Sequence, residues 1–377
     1  MIKTFNACTE EIDDIGDAIK EITGQIEKMQ LAENSVGILS CHYEFIENGT
    51  VAKLCDSVPF DIIGMTTIAS ASGGAFGMYQ MHLTVLTSSE VSFSTAATEA
   101  LTEENFHDAI SDAYKSAAGG SDDTSLIISF FPYTRHLSSA DTLRTFDNVC
   151  GGIPIWGSVA SDVTVTFQNC NTILNGRAGN DFVVMLLFHG PANPEFLITS
   201  IPSHNISPRK ALITESDGCI LKKANDMTLA DYFNSIQFHF QNAASIPLIL
   251  EYEGSSVALA IYSMNKDGSA VCGGETPVGA FFSLGEIDEE GIIETAEATI
   301  DKVLESGRTS LLMLPCVTRY IVLHPNSEAE IKKVIEKVGG KIPYWLAYSG
   351  GEICPVRGGD GKLHNRLHNY TFSACVL

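Results

Sequence analysis

One arginine stands in a setting that demands a partner. Arg319 lies within LLMLPCVTRYIVL, residues 311–323, a run that carries no other charge, and a guanidinium taken out of water without an acid is costly. Two readings follow. Arg319 forms a buried ion pair with Glu352 or Asp162, or it clamps a ligand carboxylate in bidentate fashion while Glu352 faces an ammonium group. Glu352 and Asp162 each follow an apolar strand-like run and a turn of small residues, the place where α/β folds usually bind ligands.

Hydroxyls and imidazoles supply the remaining candidates. Thr66 and Thr67, with Ser158 and Ser161, sit on the same class of turn and serve either as turn caps or as ligand contacts. His364 and His368 in HNRLHN are four residues apart, so on a helix they would share a face and could bind a metal or haem iron. Gly358, Gly359 and Gly361 just upstream and a strand-like run just after argue against that helix. His368 and Asn369 instead hydrogen-bond the loop backbone or a ligand.

Catalysis finds little support. The chain has no GxGxxG, Walker loop, GxSxG elbow, HExxH or kinase set, and a Cys316 nucleophile would need a basic neighbour such as Arg319 or a distant histidine. The expectation is a non-enzyme. Its 10 cysteines are scattered singly from Cys8 to Cys375 with no CxxC pair, which speaks against a structural zinc site and for small buried hydrophobes.

The elements that must position these residues repeat. A strand, a helical connection and a second strand entering a small-residue turn can be read three times: Ser35–Cys41 to Pro59–Ser70, Thr124–His136 to Gly151–Asp162, and Thr309–Arg319 to Lys341–Glu352. The unbroken apolar runs suit parallel strands buried on both faces. Alternating runs at Met78–Thr87, Val163–Gln168 and Asp181–Phe188 add antiparallel strands, and helices are expected at Thr9–Met29, Thr102–Ala117, Thr228–Ser235 and Asp288–Leu304. The fold class is therefore α/β, mixed sheets flanked by helices. Gly190–Lys210 holds four of the chain's 13 prolines, which places a boundary between domains 1–195 and 205–377.

With 46 acidic against 23 basic residues the net charge is −23, so nucleic acid and anionic membrane are excluded as partners. No run is apolar enough for a membrane span, and the N-terminus has no signal-peptide pattern, so a cytoplasmic location is expected.

The tail is the most distinctive segment. Gly351-Glu352-Ile353, Pro355, a glycine-rich loop and then His368-Asn369 with Thr371 resemble the C-terminal signature of FIST domains, which reads GEI, P and HNxT. Cys316 and Arg319, followed by Glu328 or Glu330, match the same half of the family. GMTTIAS at Gly64 and WGSVASD at Trp156 resemble its N-terminal turns, although Ala69 and Ser70 stand where the family has Gly-Glu. The resemblance runs from about Ile12 to Leu377 and implies an intracellular sensor that binds a small ligand such as an amino acid and signals through a separate protein. Some FIST-like proteins bind haem and sense nitric oxide, which makes haem or metal sensing through His364 or His368 the alternative. The cofactor expectation is none, and the ligand-site residues expected are Arg319, Glu352, His368, Asn369, Asp162, Ser158, Thr66 and Thr67.

Overall fold

The computed structural model describes residues 1–134, 136–164, 167–238 and 246–377. The three strand-helix-strand segments each close as a parallel pair: Asn34–Cys41 with Ile62–Thr66, Thr124–Phe131 with Ile155–Val159, and Leu311–Pro315 with Tyr344–Ala347. Each pair is the centre of a six-stranded mixed sheet. On one side lies an antiparallel strand (Met81–Ser88, Val184–His189 or Phe372–Val376) and then an edge strand (Lys3–Thr9, Ser92–Ala97 or Glu195–Thr199).

The other side of each sheet is completed by a hairpin from elsewhere in the chain. Residues 70–77, which follow the first parallel pair, join the third sheet; residues 172–179, after the second pair, join the first; residues 351–368, after the third, join the second. Segments 1–195 and 205–377 thereby interleave, because each donates a hairpin to a sheet of the other.

Side-chain alternation explains the unbroken apolar runs. Ile38 and Ile63, Ile128 and Trp156, and Leu312 and Trp345 all point into one core shared by the three sheets. Their neighbours Leu39 and Ile62, Ile127 and Ile155, and Met313 and Leu346 point outward against helices. Both tryptophans are fully buried. The covering helices start on side-chain caps: Asp14 before Ile15–Ile26, Ser138 before Ser139–Cys150 and Asp288 before Glu289–Glu305.

A second body is inserted in the third unit. Between the Glu195–Thr199 strand and the Glu289–Glu305 helix, the described residues of 206–285 form an eight-stranded antiparallel sheet around their own core of Ile213, Leu221, Phe233, Leu250 and Phe282.

Some expected elements differ. Thr9 ends a strand instead of starting a helix, since Lys3–Thr9 pairs along its whole length with Thr87–Met81, and the helix begins at Ile15 where Asp14 can cap it. The helix expected from Thr102 begins at Phe106, and that expected from Thr228 begins at Leu229 on the Thr228 cap. Val163, Thr164, Phe167 and Gln168 form no strand; Val165 and Thr166 lie outside the described residues. Within the proline-rich stretch, Glu195–Thr199 is an edge strand on Phe372–Val376, the position proline-flanked segments can hold.

Candidate functional site

The open ends of the three parallel pairs converge and close on one another. Ser161 N–H donates to the Thr66 carbonyl at 3.1 Å, Tyr348 N–H to Ala69 at 3.1 Å and Gly350 N–H to Val159 at 2.8 Å. The Thr67 and Ser161 hydroxyls both donate to the Tyr348 carbonyl, each at 2.8 Å, and the Ser158 and Ser349 hydroxyls meet at 2.8 Å. Thr66 donates to the Asn169 carbonyl at 2.8 Å. The Asp162 carboxylate accepts the Asn169 N–H at 2.7 Å and the Thr164 N–H at 2.9 Å. The turns expected to line a pocket thus form a buried hub, and Thr66, Thr67, Ser158 and Asp162 are its connectors.

Arg319 is also structural, which corrects the clamp reading. It sits in the short helix Val317–Val322 and is fully buried. Nε and Nη2 donate to Glu330 Oε1 at 2.8 and 2.6 Å, Nη1 donates to the carbonyls of Ser200 and Tyr370, and Nη2 also reaches the Ile292 carbonyl and the Thr295 hydroxyl. Every donor of the guanidinium is committed to protein. Its acid is Glu330, whose other oxygen accepts the Tyr348 hydroxyl at 3.0 Å; neither Glu352 nor Asp162 contacts it. A glutamate on the helix Ala329–Val338, eleven residues on, was visible in the sequence, but only packing brings that helix under Arg319.

Glu352 is the chemically unusual group. It is fully buried opposite Ser158 in the second sheet. Oε2 accepts the Thr371 hydroxyl at 2.7 Å and the Thr371 N–H at 3.3 Å, while Oε1 has no hydrogen-bond partner among the described residues. Burial pushes the carboxyl up to about 8, with the Thr371 and Ser349 hydroxyls and the Cys316 thiol easing it downward. Burial first, and then Glu352, hold the Cys316 thiol far above its ordinary range. His368, paired with Glu352 across the hairpin, is dropped by burial to about 4, and its Nε2 is unpartnered among the described residues.

Beside this acid opens a cleft of about 900 Å³ between the inserted body and the second unit, bounded by Tyr133, Ser138, Tyr262, Gly273, Gly350–Gly351 and Asn369. Asn369 straps the inserted body down: its N–H donates to the Ala258 carbonyl at 2.8 Å and its Oδ1 accepts the Ala260 N–H at 3.0 Å. The next residue, Tyr370, has a left-handed backbone at φ 60°, uncommon for a bulky residue and typical of positions held by a site. Tyr262 is half exposed, yet desolvation first and then the neighbouring Cys316, Tyr133, Tyr370 and Glu352 raise its hydroxyl well above the usual tyrosine range. Tyr262, Tyr133 and Gly273 carry no motif and escape a reading by sequence; they become neighbours only when the inserted body folds back.

His364 and His368 do not form a metal pair. They lie on the strand Leu363–His368, where four residues span about 13 Å, and His364 is held by Asp360 at 3.0 Å.

Mixed six-stranded sheets around a shared core, with an inserted antiparallel body closing over a cleft, define the class: an α/β protein with a covered crevice beside its strand ends. The chain belongs to the FIST family, whose N domain matches residues 35–227 and whose C domain matches residues 228–355. FIST domains are sensory modules of signal transduction. A sequence search of curated proteins gives no match. Among solved structures, the chain is similar to cyanuric acid hydrolase from A. caulinodans at 8% identity and a TM-score of 0.40, covering 100% of this chain and 98% of that one. That level of likeness bears on neither ligand nor reaction. No helix among the described residues is long and apolar enough to cross a membrane.

Proposed function

We propose that the protein is an intracellular sensor that binds a small polar metabolite of the amino-acid class in the cleft and passes the signal to a separate protein. The observation that carries this reading is the cleft itself: Tyr262, Asn369 and the Gly350–Gly351 backbone line its walls, and the buried Glu352 carboxyl follows Gly351 in the chain. Hydroxyl, amide and peptide groups there offer directional hydrogen bonds. Glu352 behind the wall favours the amine end of a ligand, because a nearby cation would draw off its proton. Binding without turnover is supported by the state of the candidate nucleophile: Cys316 is buried, and burial raises its thiol far above the ordinary range, whereas the thiolate is the reactive form.

A thermal-shift screen over amino acids and other small polar metabolites tests the reading. A hit should raise the melting midpoint of the wild type and lose its effect in Tyr262→Phe and Asn369→Ala. A hit that acts equally on both variants would place the ligand elsewhere.

A further inference from the structure

A second, smaller cavity lies in the seam between the inserted body and the second unit. It measures about 110 Å³. The inserted body contributes Leu250, Val257 and Leu259, and the opposite wall consists of Ala140, Leu143 and Leu367. Tyr252 and Ser255 also border it, the Ser255 hydroxyl donating to the Tyr252 carbonyl, and the charged groups and Asn365 at its rim are already paired. Arg144 donates to Asp141 and Glu275, Arg366 pairs with Glu253 at 2.8 Å, and Asn365 is committed to Asp147 and to the backbone of Ile153 and Ile155. A charged or strongly polar occupant would have to break these contacts, whereas an apolar one would only fill space between aliphatic side chains.

We infer that this seam is a second binding site, distinct from the polar cleft, for a small uncharged apolar molecule about the size of one aromatic ring. An aliphatic cavity of about 150 Å³ is enough to hold benzene, and this one is of that order and open at its rim. The two sites are joined through shared walls, since Ala140 and Leu367 border both. A molecule in the seam touches the inserted body and the second unit at once, so its affinity depends on how the inserted body is seated, and ligand in the cleft depends on the same seating.

Benzene is the probe. A six-atom apolar ligand in a site of this kind should bind with a dissociation constant on the order of 1 mM. Titration of the wild-type protein followed by methyl NMR should give saturable shifts, with nuclear Overhauser contacts from the ring to the Leu143, Val257 and Leu259 methyls. Leu143→Phe and Val257→Phe, which fill the cavity from opposite walls, should each weaken binding at least tenfold. Absence of saturable binding to the wild type overturns the inference. So does ring contact confined to other methyls, or undiminished affinity in whichever filling variant folds. Failure here leaves the polar-cleft reading standing, because that reading is scored by polar ligands and by Tyr262 and Asn369.

Discussion

Arg319 Nη2 lies 2.6 Å from Glu330 Oε1 with neither side chain exposed to solvent. The pair ties together the helices Val317–Val322, Glu289–Glu305 and Ala329–Val338 and, through Nη1, the carbonyls of Ser200 and Tyr370. Arg319→Ala leaves a buried carboxylate with only Tyr348 to satisfy it, so a loss of about 3–5 kcal/mol is expected. Urea melts measure it. Arg319→Met combined with Glu330→Met should recover much of that loss, because the uncompensated charge is gone. Ligand affinity in the folded fraction of Arg319→Ala should stay within about twofold of wild type, and a selective loss of affinity would restore the clamp.

Alkaline conditions should weaken the protein through Glu352. A carboxyl raised to about 8 keeps its proton in the folded state while the unfolded chain is ionised above its ordinary 4.5. The folded state then holds the extra proton between those values, so the Glu352 contribution to stability is full below about 4.5 and is lost as pH rises to about 8. The total is on the order of a few kcal/mol. Urea midpoints measured from pH 6.5 to 9 should decline to about pH 8 and then level. In Glu352→Gln the Glu352 share of that decline should vanish, and an equal slope in the variant would assign the proton to another group.

Acid acts through histidines with the opposite sign. His82, held between Ser72 and Gln80 at 2.8 Å on each side, is pushed down by burial to about 3, and His368, also by burial, to about 4. Both are neutral when folded, so the unfolded state binds more protons below about 6.5 and stability falls as pH drops from there toward 4. His82→Gln should flatten part of this acid limb between pH 6.5 and 4. An unchanged limb would show that His82 is not a source of it.

How much of this was legible in the sequence depended on whether the signal was local. Strands such as Leu311–Pro315 and Thr124–Phe131 announce themselves because burial on both faces favours near-continuous apolar side chains, Ser129 being admitted by its hydrogen bond to the Val184 carbonyl. The Gly351-Glu352-Ile353 segment falls within the FIST C match, which ends at residue 355, short of the His368-Asn369 pair. Arg319 was correctly read as needing an acid, but the acid was set by packing: Glu330 reaches it from a helix, while Glu352 and Asp162 find partners in Thr371 and Asn169. The two histidines followed a helical spacing on a strand. Of the cleft, Asn369 was among the expected residues, but Tyr262 and Gly273 belong to a body inserted between residues 199 and 289, and no periodicity reports where such a body folds back.

Close backbone approach makes Gly157 sensitive. A Cβ there would stand 1.8 Å from the Ser129 carbonyl oxygen, and neither strand of the buried parallel pair can move aside without parting the ladder Thr124–Phe131 to Ile155–Val159. Gly157→Ala should destabilise by about 3 kcal/mol or more, beyond ordinary overpacking. A chemical melt of the variant within about 1 kcal/mol of wild type would mean that the pair is looser than its register implies.

Gly273 tests the coupling between the inserted body and the cleft. Its Cα faces the strap, and an added Cβ would lie 2.1 Å from Asn369 Oδ1 and 3.0 Å from the Tyr262 hydroxyl. Gly273→Ala must therefore displace the Asn369 side chain, whose Oδ1 accepts the Ala260 N–H, and an amide left unpaired in a buried position costs about 1–3 kcal/mol. The three sheets share their core without any contribution from this residue, so the damage should be local. Amide exchange is expected to accelerate at Ala260 and its neighbours in the inserted body while the Leu311–Pro315 and Thr124–Phe131 strands keep wild-type protection. Polar-ligand binding in the cleft should fall at least tenfold, because Tyr262 and Asn369 lose their fixed positions together. Wild-type exchange at Ala260 would show that the strap does not hold the inserted body, and wild-type ligand affinity would remove both side chains from the site.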